Sequence, residues 1–130
     1  MWYLNLENNL FLTNLYNEVP ELKNIKIEKI NIVDGGRKVT LCFDMPYYVE
    51  NPPKKWVNLG NNTFWVELDF YEINELEIKS MKTMENCDLE IKYVENSFII
   101  NITGTVNASI KAEYGYIQKV EGYINTLNID

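Results

Sequence analysis

The stretch FWVELDFYEINELEI, residues 64–78, decides the fold class. Phe64, Val66, Leu68 and Phe70 share one parity, and Leu76 and Ile78 take it up again after Glu72-Ile73-Asn74. A period of two is the mark of a strand with one buried face, not of a helix. Working outward, Val39, Leu41 and Phe43 alternate in the same way before it. Cys87, Leu89, Ile91 and Tyr93, then Phe98, Ile100 and Ile102, then Val106, Ala108, Ile110 and Ala112 alternate after it. Glu95-Asn96 suits a tight turn between two of these runs, and Gly104 separates two others. Gly115 breaks the pattern before a last element, residues 116–124. There Ile117, Val120 and Ile124 fit a helix, while the β-rich composition fits a strand.

Toward the N-terminus the pattern has a fault in it. Ile25 and Ile27 alternate, and Ile30 and Ile32 alternate on the opposite parity. A regular strand would turn the second pair to the other face; a bulge at Glu28-Lys29 returns all four to one face. Asp34-Gly35-Gly36 then supplies the positive-φ residues of a hairpin that leads into Val39. Residues 8–17, with Leu12, Leu15 and Tyr16 at helical spacing, predict one short amphipathic helix, capped by Asn8 or Asn9 and stopped by Pro20. Residues 45–62 hold three of the four prolines and read as an extended surface loop. The expectation is a mainly β protein: an antiparallel sandwich or strongly curved sheet of seven or eight strands, with one N-terminal helix (residues 1–21) leading a β core (22–130). No helix-length segment lies between successive strands, which argues against parallel βαβ architecture.

One hundred and thirty residues make a single domain large enough to bury a core. Hydrophobic content of 46% and 13% aromatics argue against disorder. A net charge of −7, with Arg37 the sole arginine among twelve bases, argues against binding nucleic acid, where lysines and arginines must neutralise phosphates. The chain contains no histidine. That removes the Ser-His-Asp and Cys-His arrangements, histidine-bearing zinc sites and the usual general base near neutral pH. Cys42 and Cys87 stand in apolar alternating runs and read as two buried thiols. Three Asn-X-Ser/Thr triplets, at Asn61, Asn101 and Asn107, fit a composition rich in Asn, Ser and Thr. The start MWYLNLENNL has no basic leader region, and no run approaches the ~20 apolar residues of a membrane span. A cytoplasmic protein without membrane, cofactor or metal is expected.

The charge is unevenly spread: residues 1–21 carry −3, residues 22–59 carry +3 and residues 60–130 carry −7. Between residues 61 and 78 stand five acids, Glu67, Asp69, Glu72, Glu75 and Glu77, and no base. If Phe64, Val66, Leu68 and Phe70 point inward, Trp65, Glu67, Asp69 and Tyr71 point outward; Leu76 and Ile78 inward likewise put Glu75 and Glu77 outward. Were the two runs to pair, their acids would share one face with Trp65 and Tyr71 among them. An acidic strand face commonly serves solubility. An acidic face with aromatic anchors also suits capture of a basic protein, charge steering the encounter and the rings supplying contact energy. Trp65, Glu67, Asp69, Tyr71, Glu75 and Glu77 are therefore the candidate partner-binding residues.

Weaker candidates are a stacking platform of Tyr47, Tyr48 and Trp56 for a small ligand or carbohydrate, and acid–base hydrolysis by paired carboxylates. Calcium held by Glu67 and Asp69 lacks the loop spacing of an EF-hand. Lys54-Lys55-Trp56 reads as a solvated loop around one buried Trp, and Gly35-Gly36 as a hairpin, not a phosphate cradle.

Several of these residues also carry a family resemblance. Pro52-Pro53-Lys54-Lys55-Trp56, Asn61-Asn62-Thr63, the FWVELDF strand with Ile73, Leu76 and Ile78, then Ile110-Lys111-Ala112, Ile117 and Tyr123 together resemble the immunity protein 50 family of bacterial polymorphic-toxin systems. The resemblance spans residues 22–124 and leaves out the first twenty. It implies a small, β-rich, non-catalytic protein that binds a cognate toxin and blocks it, and it brings no catalytic residues. Many toxins of such systems are nucleases, so the resemblance also implies a target with a basic surface.

Overall fold

The computed structural model describes residues 1–80 and 83–128. Six strands form one antiparallel sheet: β1 (Ile27–Val33), β2 (Lys38–Asp44), β3 (Thr63–Ser80), β4 (Cys87–Val94), β5 (Ser97–Gly104) and β6 (Asn107–Tyr123), in the order β1-β2-β3-β6-β5-β4. Two short helices, α1 (Leu10–Leu15) and α2 (Lys54–Leu59), lie outside it. The sheet is mainly β and antiparallel as expected, but among the described residues it has six strands, not seven or eight, and there is no second sheet to make a sandwich. It is not closed. Ile25, two residues before β1, exchanges backbone hydrogen bonds with Cys87 of β4 at 2.8 and 2.9 Å. The sheet therefore bends until the chain entering one edge strand touches the other edge strand.

The strand count drops because two expected divisions are absent. Residues 64–70 and 76–78 do not pair with each other; they are collinear parts of β3, which runs for 18 residues beside the 17-residue β6. Residues 116–124 are likewise no separate element, since β6 passes straight through Gly115 to Tyr123. Gly115 is there for room: a Cβ on it would stand 2.8 Å from Leu6 and 3.0 Å from the Phe70 ring. Gly122 does the same for α2, where a Cβ would lie 2.8 Å from the Trp56 ring.

The long β3–β6 ribbon changes face in mid-course. Tyr71 lies opposite Tyr114 and Ile73 opposite Ala112, an uninterrupted register. Yet Tyr71 stacks edge-on with Tyr116, while Ala112 is fully buried beside Phe98. One residue in each strand, Glu72 (φ 54°) and Glu113, is thus spent on turning the ribbon over. A further bulge between Ile73 and Glu75 restores the parity, so Leu76 again faces the core residue Ile110. β1 and β2 flank the first half of β3; β5 and β4 flank the first half of β6.

The bulge demanded by the isoleucine pattern is present: Ile27 pairs with Phe43 and Lys29 with Cys42, leaving Glu28 as the extra residue. The hairpin follows as expected, with Asp34, Gly35 and Gly36 all at positive φ. The core fills the inner face. Val39, Leu41, Phe43, Phe64, Val66, Leu68, Phe70, Ile100 and Ile110 are at most 1% exposed. It is covered by Trp2, Leu6, Leu12, Leu15, Tyr16, Leu22 and Ile25 from the N-terminal segment and by Met45, Val49 and Trp56 from residues 45–62. Residues 45–62 are therefore not simply a surface loop: they contain α2 and bury Trp56 against Phe64, ring centroids 5.3 Å apart. The expected side-chain cap of α1 is missing, because the Asn9 amide donates to the Tyr3 and Leu4 carbonyls instead. Cys42 and Cys87 are free and buried.

Candidate functional site

The N-terminal residues and residues 45–62 cover one face of the sheet, which leaves the other face uncovered by them. The odd-numbered residues of β3 stand on it, opposite the outward residues of both neighbours: Trp65 between Asp44 and Glu121, Glu67 between Cys42 and Lys119, Asp69 between Thr40 and Tyr116, Tyr71 between Lys38 and Tyr114. All four expected residues do share this face. Lysines from strands distant in sequence join them. Lys29 reaches Glu67 at 3.4 Å, and Lys38 lies 3.9 Å from Asp69 and 5.8 Å from the centre of the Tyr71 ring. Asp69 is only 6% exposed and accepts the Thr40 hydroxyl at 2.5 Å. The stretch that carries no base in sequence is thus partly neutralised in space.

Glu75 and Glu77 are exposed on the far half of β3, beyond the turn at Glu72. At about 3.3 Å per residue, Glu75 lies roughly 25 Å along the strand from Glu67. The structure therefore places the six candidates in two groups, not in one acidic patch, and opposite-strand repulsion between the two runs does not arise. Glu75 faces Lys111, and Glu77 has Lys79 at 3.2 Å.

The Trp65 end of the face contains what the sequence reading missed. Glu28, Cys42, Asp44, Trp65 and Tyr123 line an open hollow of about 310 Å³. Thr40, Cys42 and Asp44 share the outward parity of β2, a signal visible beside Val39, Leu41 and Phe43. The bulge brings Glu28 alongside them. Tyr123 reaches from β6 across β3 and donates its hydroxyl to Asp44 Oδ2 at 2.8 Å, which Gly122 permits by leaving the inner side to Trp56. Asp44 Oδ1 has no hydrogen-bond partner among the described residues. Burial pushes the Asp44 carboxyl above its ordinary range; Tyr123 opposes this and Glu28 adds to it. Burial pushes the Cys42 thiol up to about 11, so it is a poor nucleophile near neutral pH. Among the described residues no group of three or more acidic or thiol side chains is placed to hold a metal, and no helix is long and apolar enough to cross a membrane.

The aromatic platform expected at residues 47–56 is not open. Trp56 is 7% exposed and is packed by Tyr48, Phe64 and Phe11, which leaves Tyr47 alone at the surface.

Fold and face together define a small β protein whose differentiated surface is one side of a bent sheet, charged, aromatic and shallow. The family model for immunity protein 50 matches residues 8–123, and the chain belongs to that family. The match begins fourteen residues before the expected resemblance and so takes in α1. No curated protein and no solved structure matches the chain.

Proposed function

We propose that this protein is a bacterial immunity protein that neutralises a cognate toxin in the cytoplasm by covering the toxin's working surface, without chemistry of its own. Membership of the immunity protein 50 family carries this reading. The outward face supports it physically: Trp65 and Tyr71 are half-buried rings able to lose their remaining solvent against a partner, among charges that can steer an encounter. A net charge of −7 favours a basic target, such as the substrate-facing side of a nuclease.

The test is protection of cells that express the toxin encoded beside this gene, with the affinity of the purified pair measured in parallel. Protection and a tight, salt-sensitive complex are expected. Trp65→Ala and Glu67→Lys should each weaken the complex about tenfold or more, the range of a buried aromatic anchor or a reversed charge. Full protection by both variants would move the interface off this face. Absence of any complex would remove the immunity reading itself.

A further inference from the structure

We infer that the free end of β4, residues 91–94, is a docking edge for an extended, apolar segment of the toxin, which adds to the sheet as a further strand. The inference rests on the proposed function for the identity of its partner and on geometry for the partner's form. Residues leading into β1 already cover the first half of this edge: Cys87 N–H donates to the Ile25 carbonyl at 2.9 Å, and Leu89 N–H to the Leu22 carbonyl at 2.9 Å. The backbone groups of β4 that point away from β5 are thus those of its odd residues. The covering chain then stops, since Pro20 has no N–H and its carbonyl accepts the Trp2 indole N–H at 3.0 Å. Ile91 and Tyr93 continue the parity, and their outward backbone groups have no partner among the described residues. β4 pairs with β5 over all eight of its residues without a register shift, whereas β1, at the other edge, carries its bulge. β4 therefore offers the straighter ladder to an incoming strand.

Side chains beside the ladder fix what it takes. Two hollows of about 380 and 300 Å³ are both lined by Ile91 and Lys92 of β4 and by Met1 and Trp2. The second is rimmed by Met1, Leu4, Tyr93 and Val94, large apolar side chains that remain 41–82% exposed. An added strand sends alternate side chains to one face, so apolar residues at every second position would fill these hollows while the backbone pairs with Ile91 and Tyr93. A second copy of the chain fits badly. Two-fold pairing through Ile91 and Tyr93 is centred on Lys92 and sets that ammonium against its own copy. The neighbouring two-fold registers need either Leu89, whose N–H is already taken, or Glu95, which lies in the turn at φ 51°. The occupant is therefore a strand of another protein.

The experiment is a ¹H–¹⁵N titration of the intact protein with the blocked pentapeptide acetyl-Thr-Val-Thr-Val-Thr-amide, with its fully N-methylated form as control. The expected result is a saturable shift of the Ile91 and Tyr93 amides at roughly millimolar concentration, as befits a small fragment. The N-methylated peptide keeps the apolar side chains but has no donors, and should leave both signals unmoved. Tyr93→Pro removes an N–H that the sheet does not use, a place where proline is tolerated, and should abolish the shift at Ile91. Tyr93→Ala keeps that N–H and should retain binding within a few-fold. In the complex with the toxin encoded beside this gene, amide exchange at Ile91 and Tyr93 should slow about 100-fold or more. No shift with the peptide, or an equal shift with its N-methylated form, overturns the docking edge whatever the toxin does. A toxin complex that leaves both amides exchanging freely overturns the toxin as occupant and spares the immunity reading. A dimer in sedimentation that Tyr93→Pro dissolves gives the edge to a second copy and likewise overturns the inference. Peptide pairing by a chain that captures no toxin overturns the immunity reading and leaves a strand-accepting edge without that partner.

Discussion

Asp69 and Asp44 look alike in sequence, each an acid at an outward position of a strand, and the structure treats them oppositely. Asp69 is buried with a hydroxyl and an ammonium as partners; Asp44 keeps one oxygen without a hydrogen-bond partner among the described residues. Thr40→Val should leave Asp69 Oδ1 without its donor at nearly constant volume, lowering stability by about 1–3 kcal/mol in urea unfolding, whereas Thr40→Ser should recover most of it. Asp44 gives a pH signature instead. Its folded-state carboxyl lies above the ordinary value, so the folded state retains a proton that the unfolded chain has released. This favours folding below the ordinary carboxylate range and is lost as pH rises through the raised value. Glu28, Lys26, Cys42 and Tyr123 are the charged or titratable groups that face it. Asp44→Asn should remove that slope: its urea midpoint should gain on the wild type as pH rises from about 4 to 7, by a small amount because solvent screens the site. A parallel pair of curves would contradict the assignment.

At the scale of the element, the bulge in β1 is the feature whose sequence signal was clearest. Ile25 and Ile27 are each 2% exposed, and Ile30 packs against the same core. Ile32, on the same face, is already 52% exposed, so deleting Glu28 should cost the burial of at least one isoleucine and lower stability by about 1.5–3 kcal/mol. Glu28→Gln keeps the residue count and should change stability by no more than a few tenths of that. The hairpin was equally legible, since Asp34-Gly35-Gly36 can take positive φ with little strain. β3 was not. Its division into two strands seemed natural because Glu72-Ile73-Asn74 interrupts the alternation, but local composition cannot tell a chain reversal from a bulge that continues. Here β6 is long enough to pair with both halves, and the continuing ladder satisfies backbone groups that a turn would expose.

At the scale of the whole molecule, the N-terminal segment is part of the core although the family match begins only at residue 8. Trp2 packs edge-on against Phe43 at 6.1 Å, and Leu6 seats against Gly115 and Phe70. Removing residues 1–6 should therefore destabilise the fold by about 3–6 kcal/mol, two large buried side chains, in a urea titration of the shortened chain. A loss below about 1 kcal/mol would show those contacts to be dispensable. The charge pattern also resolves only at this scale: Lys29 and Lys38 meet Glu67 and Asp69 because β1 and β2 stack beside β3, some thirty to forty residues away in sequence. From the sequence alone came the β class, the antiparallel hairpin with its bulge, the inward parity of Phe64, Val66, Leu68 and Phe70, and a short helix carrying Leu12 and Leu15, though Tyr16 lies just past its end in extended backbone, because each rests on periodicity within one element. Tertiary structure alone decided the single bent sheet, the packing partners of Trp56, the neutralising lysines and the hollow built from Glu28, Asp44, Trp65 and Tyr123. Those depend on which strands lie side by side, and strand neighbours are chosen by long-range pairing and core closure, which leave no mark at any fixed spacing along the chain.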